Sequence, residues 1–160
     1  MRIESVEVGP ETIEAVVRFD PGEPLRSSEV PGMADALVRA LPGLKGHRCD
    51  NGAGLSFRDE ASDTEIAHLI EHSALEIMAM AGSSDTLKGV TAWDFAVDGR
   101  GAFRVSVEYD DDLLALGALR CASEVVGALA SGGEPPDAGA EARRLRGLRA
   151  RASERAEAPG

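Results

Sequence analysis

The chain has 160 residues, with 17 lysines and arginines against 28 aspartates and glutamates, for a net charge of −11. So acidic a body repels a phosphate backbone, which argues against nucleic acid as a partner and favours a cationic ligand. Its 43% hydrophobic content is enough for one domain with its own core. No apolar run reaches the ~18 residues of a membrane helix, so no membrane partner is expected.

The charge is uneven. Residues 138–160 hold six arginines against three glutamates, about +3, which leaves about −14 for the rest. Residues 1–136 are expected to form the core of the domain. Residues 137–160 are expected to add an Arg-rich helix and tail whose arginines form a solvated face.

Along the chain, residues 2–8 and 13–19 alternate and read as two strands around the turn signal Gly9-Pro10. The start of the chain is charged and lacks a signal-peptide core, so a cytoplasmic setting is the expectation. Pro21, Gly22 and Pro24 break the chain. A helix follows over about 30–41, with Met33, Leu37 and Ala40 on one face, ended by Pro42-Gly43. Residues 43–61 are glycine-rich and irregular, with a short strand at Leu55-Ser56-Phe57. His47 is expected to satisfy backbone groups there. Cys49 and Cys121 fit no disulfide framework or metal spacing and read as small buried apolar residues.

The next helix is the best signalled. Ser62 and Glu65 read as a capping box, Asp63 favours the positive end of the helix dipole, and Gly82 marks the stop after Ala81. Ile66, Leu69, Ile70, Ala74, Ile77 and Met80 form one apolar face, and Leu75, Met78 and Ala79 extend it. A helix apolar nearly all round is a buried helix. Yet it also carries His68, Glu71, His72 and Glu76. Burying such groups is costly unless they are paired or bind a metal.

His68-Leu69-Ile70-Glu71-His72 is H-x-x-E-H, the inverted zinc-peptidase motif. Residues four apart stack on one helix face, so the two imidazoles can share an ion. Glu71 between them can act as general base on a bound water. The bland alternative is a satisfied polar cluster.

Residues 89–97 and 101–109 alternate around Asp98-Gly99-Arg100 and read as a hairpin, with Trp93 and Tyr109 as packing residues. Asp110, Asp111 and Asp112 open a helix over 111–131, and a last helix follows Pro135-Pro136. These elements predict an α+β fold, an antiparallel sheet with helices on one face.

Several of these segments together resemble the N-terminal domain of cyanophycin synthetase. They are Leu41-Pro42-Gly43-Leu44, His47-Arg48-Cys49, the run from His68 to Glu76, Ala81-Gly82, and Phe103 to Tyr109 with the acidic run after it. The resemblance covers roughly residues 41–130 in order. It implies binding of a branched polymer of aspartate and arginine. Some members also resemble one half of a pitrilysin-type zinc peptidase and cleave that polymer. Carried over, His68 and His72 become ligands of Zn2+ and Glu71 the general base. A later glutamate is implied as third ligand: Glu141 first, with Glu124 and Glu76 as alternatives. Glu76 is better suited to orient His72 from behind. Arg48 and Glu108 are candidate substrate contacts. No phosphate-binding loop of the G-x-x-x-x-G-K-[ST] type occurs, so ATP-dependent ligation is not expected. The expected activity is zinc-dependent hydrolysis of amide bonds in an Asp/Arg polymer or related Arg-containing peptide. The alternative is a non-catalytic module that binds polymer or partner. Because pitrilysin-type peptidases use two halves, homodimerisation or docking to a separate synthetase is also expected.

Overall fold

The computed structural model describes residues 1–49 and 55–157. Four antiparallel strands, β1 (Arg2–Val8), β2 (Thr12–Arg18), β3 (Gly89–Ala92) and β4 (Ala102–Glu108), form one sheet in the order β1-β2-β4-β3. The helices are α1 (Met33–Ala40), α2 (Phe57–Glu60), α3 (Ile66–Ala81), α4 (Asp112–Ala130) and α5 (Ala138–Glu157). The α+β class read from the sequence is the class observed.

Alternation decides which face of the sheet is covered. Ile13, Ala15 and Val17 of β2 pair across the ladder with Val107, Val105 and Phe103 of β4, and all six are buried. Helix α3 packs on β4 and β3, α4 packs on β1 and β2, and α5 lies on α3 and α4. On the other face Arg104 bonds Glu14 and Asp98, and Arg18 bonds Glu4. These ladders of opposite charge suit a solvated surface.

Helix α4 is long and apolar enough, by length and composition, to cross a membrane. In the fold it sends Leu114, Leu119, Val125 and Val126 into the core. Its cap is as the sequence suggests, with the Asp111 carboxylate accepting from Leu114 N at 3.0 Å.

Three local readings are corrected. Ser62 does not cap α3: its hydroxyl donates to the Asp59 carbonyl, and Glu65 is the capping residue without a side-chain cap bond. The reason is tertiary. Arg26 takes the Asp63 and Glu65 carboxylates, and Ser27 N donates to the Thr64 carbonyl, so residues 63–65 are tied to 26–27 before the helix begins. The strand expected at 55–57 is a single bridge, Arg48 to Ser56, after which Phe57 opens the one-turn helix α2. Strand β3 stops at Ala92 rather than Val97. There the Asp94 carboxylate accepts from Ala96 N and Val97 N, turning the chain so that Trp93 and Phe95 stack on Phe103. Of the glycine-rich stretch, residues 50–54 lie outside the described residues.

The arginine-rich helix is more than a solvated face. Arg146 donates to the Met80 carbonyl and Arg149 to the Gly82 carbonyl, at the end of α3. Cations there satisfy orphan carbonyls and oppose the negative end of the dipole. Gly82 itself has φ of 106°, the left-handed stop that the sequence announces.

Candidate metal centre

Helix α3 carries the site because its N-terminal half is pinned between a loop and the β3 edge of the sheet. His68 and His72 fall one turn apart and bring their Nε2 atoms to 3.1 Å. Cys49 Sγ, from the loop before the undescribed segment, lies 3.2 Å from His72 Nε2. One ligand atom from each of Cys49, His68 and His72 fits within a mutual span of 4.8 Å. Tetrahedral zinc with bonds of ~2.0–2.1 Å to two nitrogens holds them about 3.3 Å apart. The observed nitrogen pair matches that edge, so the residues present fit the ion. Thiolate and imidazole together are donors that suit zinc.

The partners of each ring support this. Thr64 Oγ1 is 2.9 Å from His68 Nδ1, leaving Nε2 turned toward the cluster. Phe57 packs its ring on His72 at a centroid distance of 4.9 Å. Glu71, only 5% exposed, accepts a hydrogen bond from Thr91 Oγ1 at 2.6 Å. A Cβ on Gly89 would stand 2.5 Å from Glu71 Cγ, so β3 can pass this close only with glycine there.

These residues open on a cleft of about 980 Å3. Its lining holds six carboxylates (Glu60, Glu65, Glu71, Glu76, Asp85, Glu108) against Arg48 and Lys88. Arg48 and Glu108, the two candidate substrate contacts, therefore face the same space. Glu108 also accepts from Lys88 N at 2.9 Å.

The structure does not bring Glu141 to this cluster. Its carboxylate is held by Arg144, one turn on at 2.6 Å, and by Arg120 of α4 at 3.0 Å, and it lines no part of the cleft. Those two guanidinium groups lower its pKa, which is the signature of a satisfied ion pair. Glu124 is exposed and stands 4.0 Å from Arg120. Glu76 meets His47, at 3.0 Å.

Three residues were missed. Cys49 is buried in the core, as expected, and also touches a motif histidine. Among the described residues the His47 ring bridges Glu76 and His72 rather than serving the loop backbone. Glu60 has a buried Oε2 without a partner among the described residues; it acts on Cys49 by a hydrogen bond and then by its charge, and on Glu71 by its charge. The spacing His47-x-Cys49 was the available signal for the first two; Glu60 had none.

Burial sets the protonation states. The Cys49 thiol is pushed up to about 12 by burial, and then by Glu60 and Glu71. A free thiol there is protonated at neutral pH, which argues against thiolate nucleophilic catalysis. Burial also raises the Glu71 carboxyl, against the hydrogen bond from Thr91 and the charge of His68.

Burial, then the charges of His68 and His47, hold His72 down to about 3 from the ordinary 6.5. The unfolded chain therefore takes up a proton near pH 6.5 that the fold refuses until about pH 3. The contribution of His72 to stability is full above pH 6.5 and is lost as pH falls, by at most about 1.4 kcal/mol per unit. Glu71, raised, works in the opposite direction. Urea midpoints of chelator-treated protein should fall between pH 7 and 5, and the fall should be shallower in His72→Gln. Parallel profiles for the two proteins would contradict this assignment.

An α+β fold in which a buried helix presents a cysteine-histidine-histidine cluster to an acidic cleft defines a metal-competent protein. The comparisons give it a family. A family model, the cyanophycin synthase-like N-terminal domain, matches residues 15–131, and the chain belongs to this family. It is similar to the cyanophycin synthetases of Trichormus variabilis and of a Nostoc species, each 42% identical over 57 residues, 35% of this chain. The enzyme of Crocosphaera subtropica is 38% identical over 55 residues, 34% of this chain. In each case the matched stretch is 6% of the relative's length.

Proposed function

We propose that this domain is a zinc-dependent hydrolase of amide bonds in an arginine-bearing peptide or Asp/Arg polymer. The observation that carries the reading is the cluster itself: two Nε2 atoms 3.1 Å apart with Cys49 Sγ 3.2 Å from one of them. Cys49, His68 and His72 would hold the ion, with Cys49 taking the third place that sequence reasoning gave to Glu141.

Zinc with three protein donors supplies an activated water and a polarised carbonyl. The residues do the rest. Thr64 and the Phe57 ring hold the two imidazoles. Glu71 takes a proton from the attacking water and delivers it to the leaving amine. In the metal-free protein burial raises its pKa, in the direction that suits a group that must accept and then donate. The carboxylates lining the cleft attract guanidinium groups, and the exposed Trp93 at the rim offers a face for one. The relatives' name supplies the polymer; the acidity of the cleft supports it independently.

The test is metal content and turnover together. Purified protein should carry about one equivalent of zinc, lost in His68→Ala and on dialysis against chelator. The loaded protein should shorten an Asp/Arg polymer, and the stripped protein should not. Protein that takes up no zinc would end the hydrolase reading and leave a polymer-binding module in its place.

A further inference from the structure

We infer that His47 and Glu76 form a relay that fixes the ring proton of His72 on Nδ1 and so aims its Nε2 lone pair into the metal cluster. The inference rests on the metal-centre reading above, but its observations are separate from that cluster. Glu76 Oε2 is 3.0 Å from His47 Nε2, and His47 Nδ1 is 3.1 Å from His72 Nδ1.

An ionised carboxylate only accepts, so His47 Nε2 carries hydrogen and donates to Glu76. With that hydrogen on Nε2, the His47 ring offers the lone pair of Nδ1, and His72 Nδ1 is the donor across the 3.1 Å contact. That leaves His72 Nε2 as an acceptor. Cys49 Sγ at 3.2 Å and His68 Nε2 at 3.1 Å both stand beside that nitrogen, and either can present hydrogen to it. The proton positions are assigned from the hydrogen-bond partners that run from Glu76 through His47 to His72.

The relay is built, not incidental. Glu76 has no lysine or arginine partner among the described residues; its side-chain partner there is His47, at 3.0 Å. The turn at residues 42–46 closes over it so tightly that a Cβ on Gly43 would fall 1.9 Å from Glu76 Oε1. Phe57 flanks both rings, at 4.9 Å from His72 and 6.4 Å from His47. Histidine ligands elsewhere usually donate their second N–H to a carboxylate or carbonyl, and losing that partner weakens metal affinity about 10–100-fold. Here an imidazole is interposed, and the carboxylate acts one ring further away. His47 and Glu76 are thus positioning residues, acting through His72.

Two measurements decide it. Two-bond 15N–1H correlations of the histidine rings in chelator-treated protein should show His72 as the Nδ1–H tautomer, and His47→Ala should shift it toward Nε2–H. Zinc affinity, read by competition with a chromophoric chelator, should fall about 10–100-fold in His47→Ala and in Glu76→Ala. The double variant should lose no more than the worse single one, because both act through one bond. Independent structural roles would instead give losses that multiply. His47→Gln serves if the alanine variant does not fold. An Nε2–H tautomer in the unaltered protein, or multiplying losses, would overturn the relay. If the protein binds no zinc at all, the metal reading fails while the tautomer measurement still decides the relay.

Discussion

Glu71→Gln is expected to lower amide hydrolysis by about 10²–10⁴-fold, the usual contribution of a positioned general base, with zinc content unchanged. The substitution keeps shape. Gln presents an oxygen that can still accept from Thr91 Oγ1, which is 2.6 Å from the carboxylate in the native protein. The side chain stays within the space that Gly89 leaves open. Stability should not suffer either. Burial works against the charge on Glu71, as its raised pKa shows, so a neutral amide removes a desolvation cost at neutral pH. The loss should therefore appear in kcat, with thermal melting unchanged or raised. It should also remove the acid limb of the pH–rate profile that titration of Glu71 produces. Zinc-loaded Glu71→Gln that cleaves at the native rate would show the proton acceptor to be another group.

What the sequence disclosed was the part governed by local physics. Helix α3 ends at Gly82 because only a residue free to adopt positive φ closes it there, and Asp111 caps α4 through its own next turn. Alternation marked β2 and β4, since one face of each is buried. The H-x-x-E-H spacing places its two rings together on any helix. The remainder depended on the chain's return. Cys49 reaches His72 across 23 residues, and its partner is invisible until the loop is folded onto α3. The false cap at Ser62 arose because Arg26, 37 and 39 residues away from its two acidic partners, claims Asp63 and Glu65. The position of Glu141, away from the cluster, was more legible. An arginine three residues later on the same helix face is the ordinary partner for a glutamate, and Arg144 takes it.

Phe57→Ala should be the most damaging of the changes behind the metal cluster, costing about 3–5 kcal/mol. Phe57 is 1% exposed and belongs to the main core. It is placed by backbone as much as by packing: Phe57 N donates to the His47 carbonyl at 3.2 Å, and the Phe57 carbonyl accepts from Ala61 N at 2.7 Å. Its ring fills the space behind His47 and His72, so the truncation opens a cavity directly against one proposed ligand and one member of the relay. In a domain of this size each kcal/mol lowers Tm by about 2–4 °C, giving an expected drop of roughly 6–20 °C in chelator-treated protein. A second effect separates wall from core. Zinc bound to the native state raises stability in proportion to the logarithm of ligand concentration over Kd. If the ring also orients His72, the gain in Tm on adding zinc should shrink in Phe57→Ala. Phe57→Leu, which keeps most of the volume, should restore most of both. A variant that loses stability but keeps the full zinc-dependent gain would confine Phe57 to core packing. One that melts within about 1 kcal/mol of the native protein would remove it from the core as well.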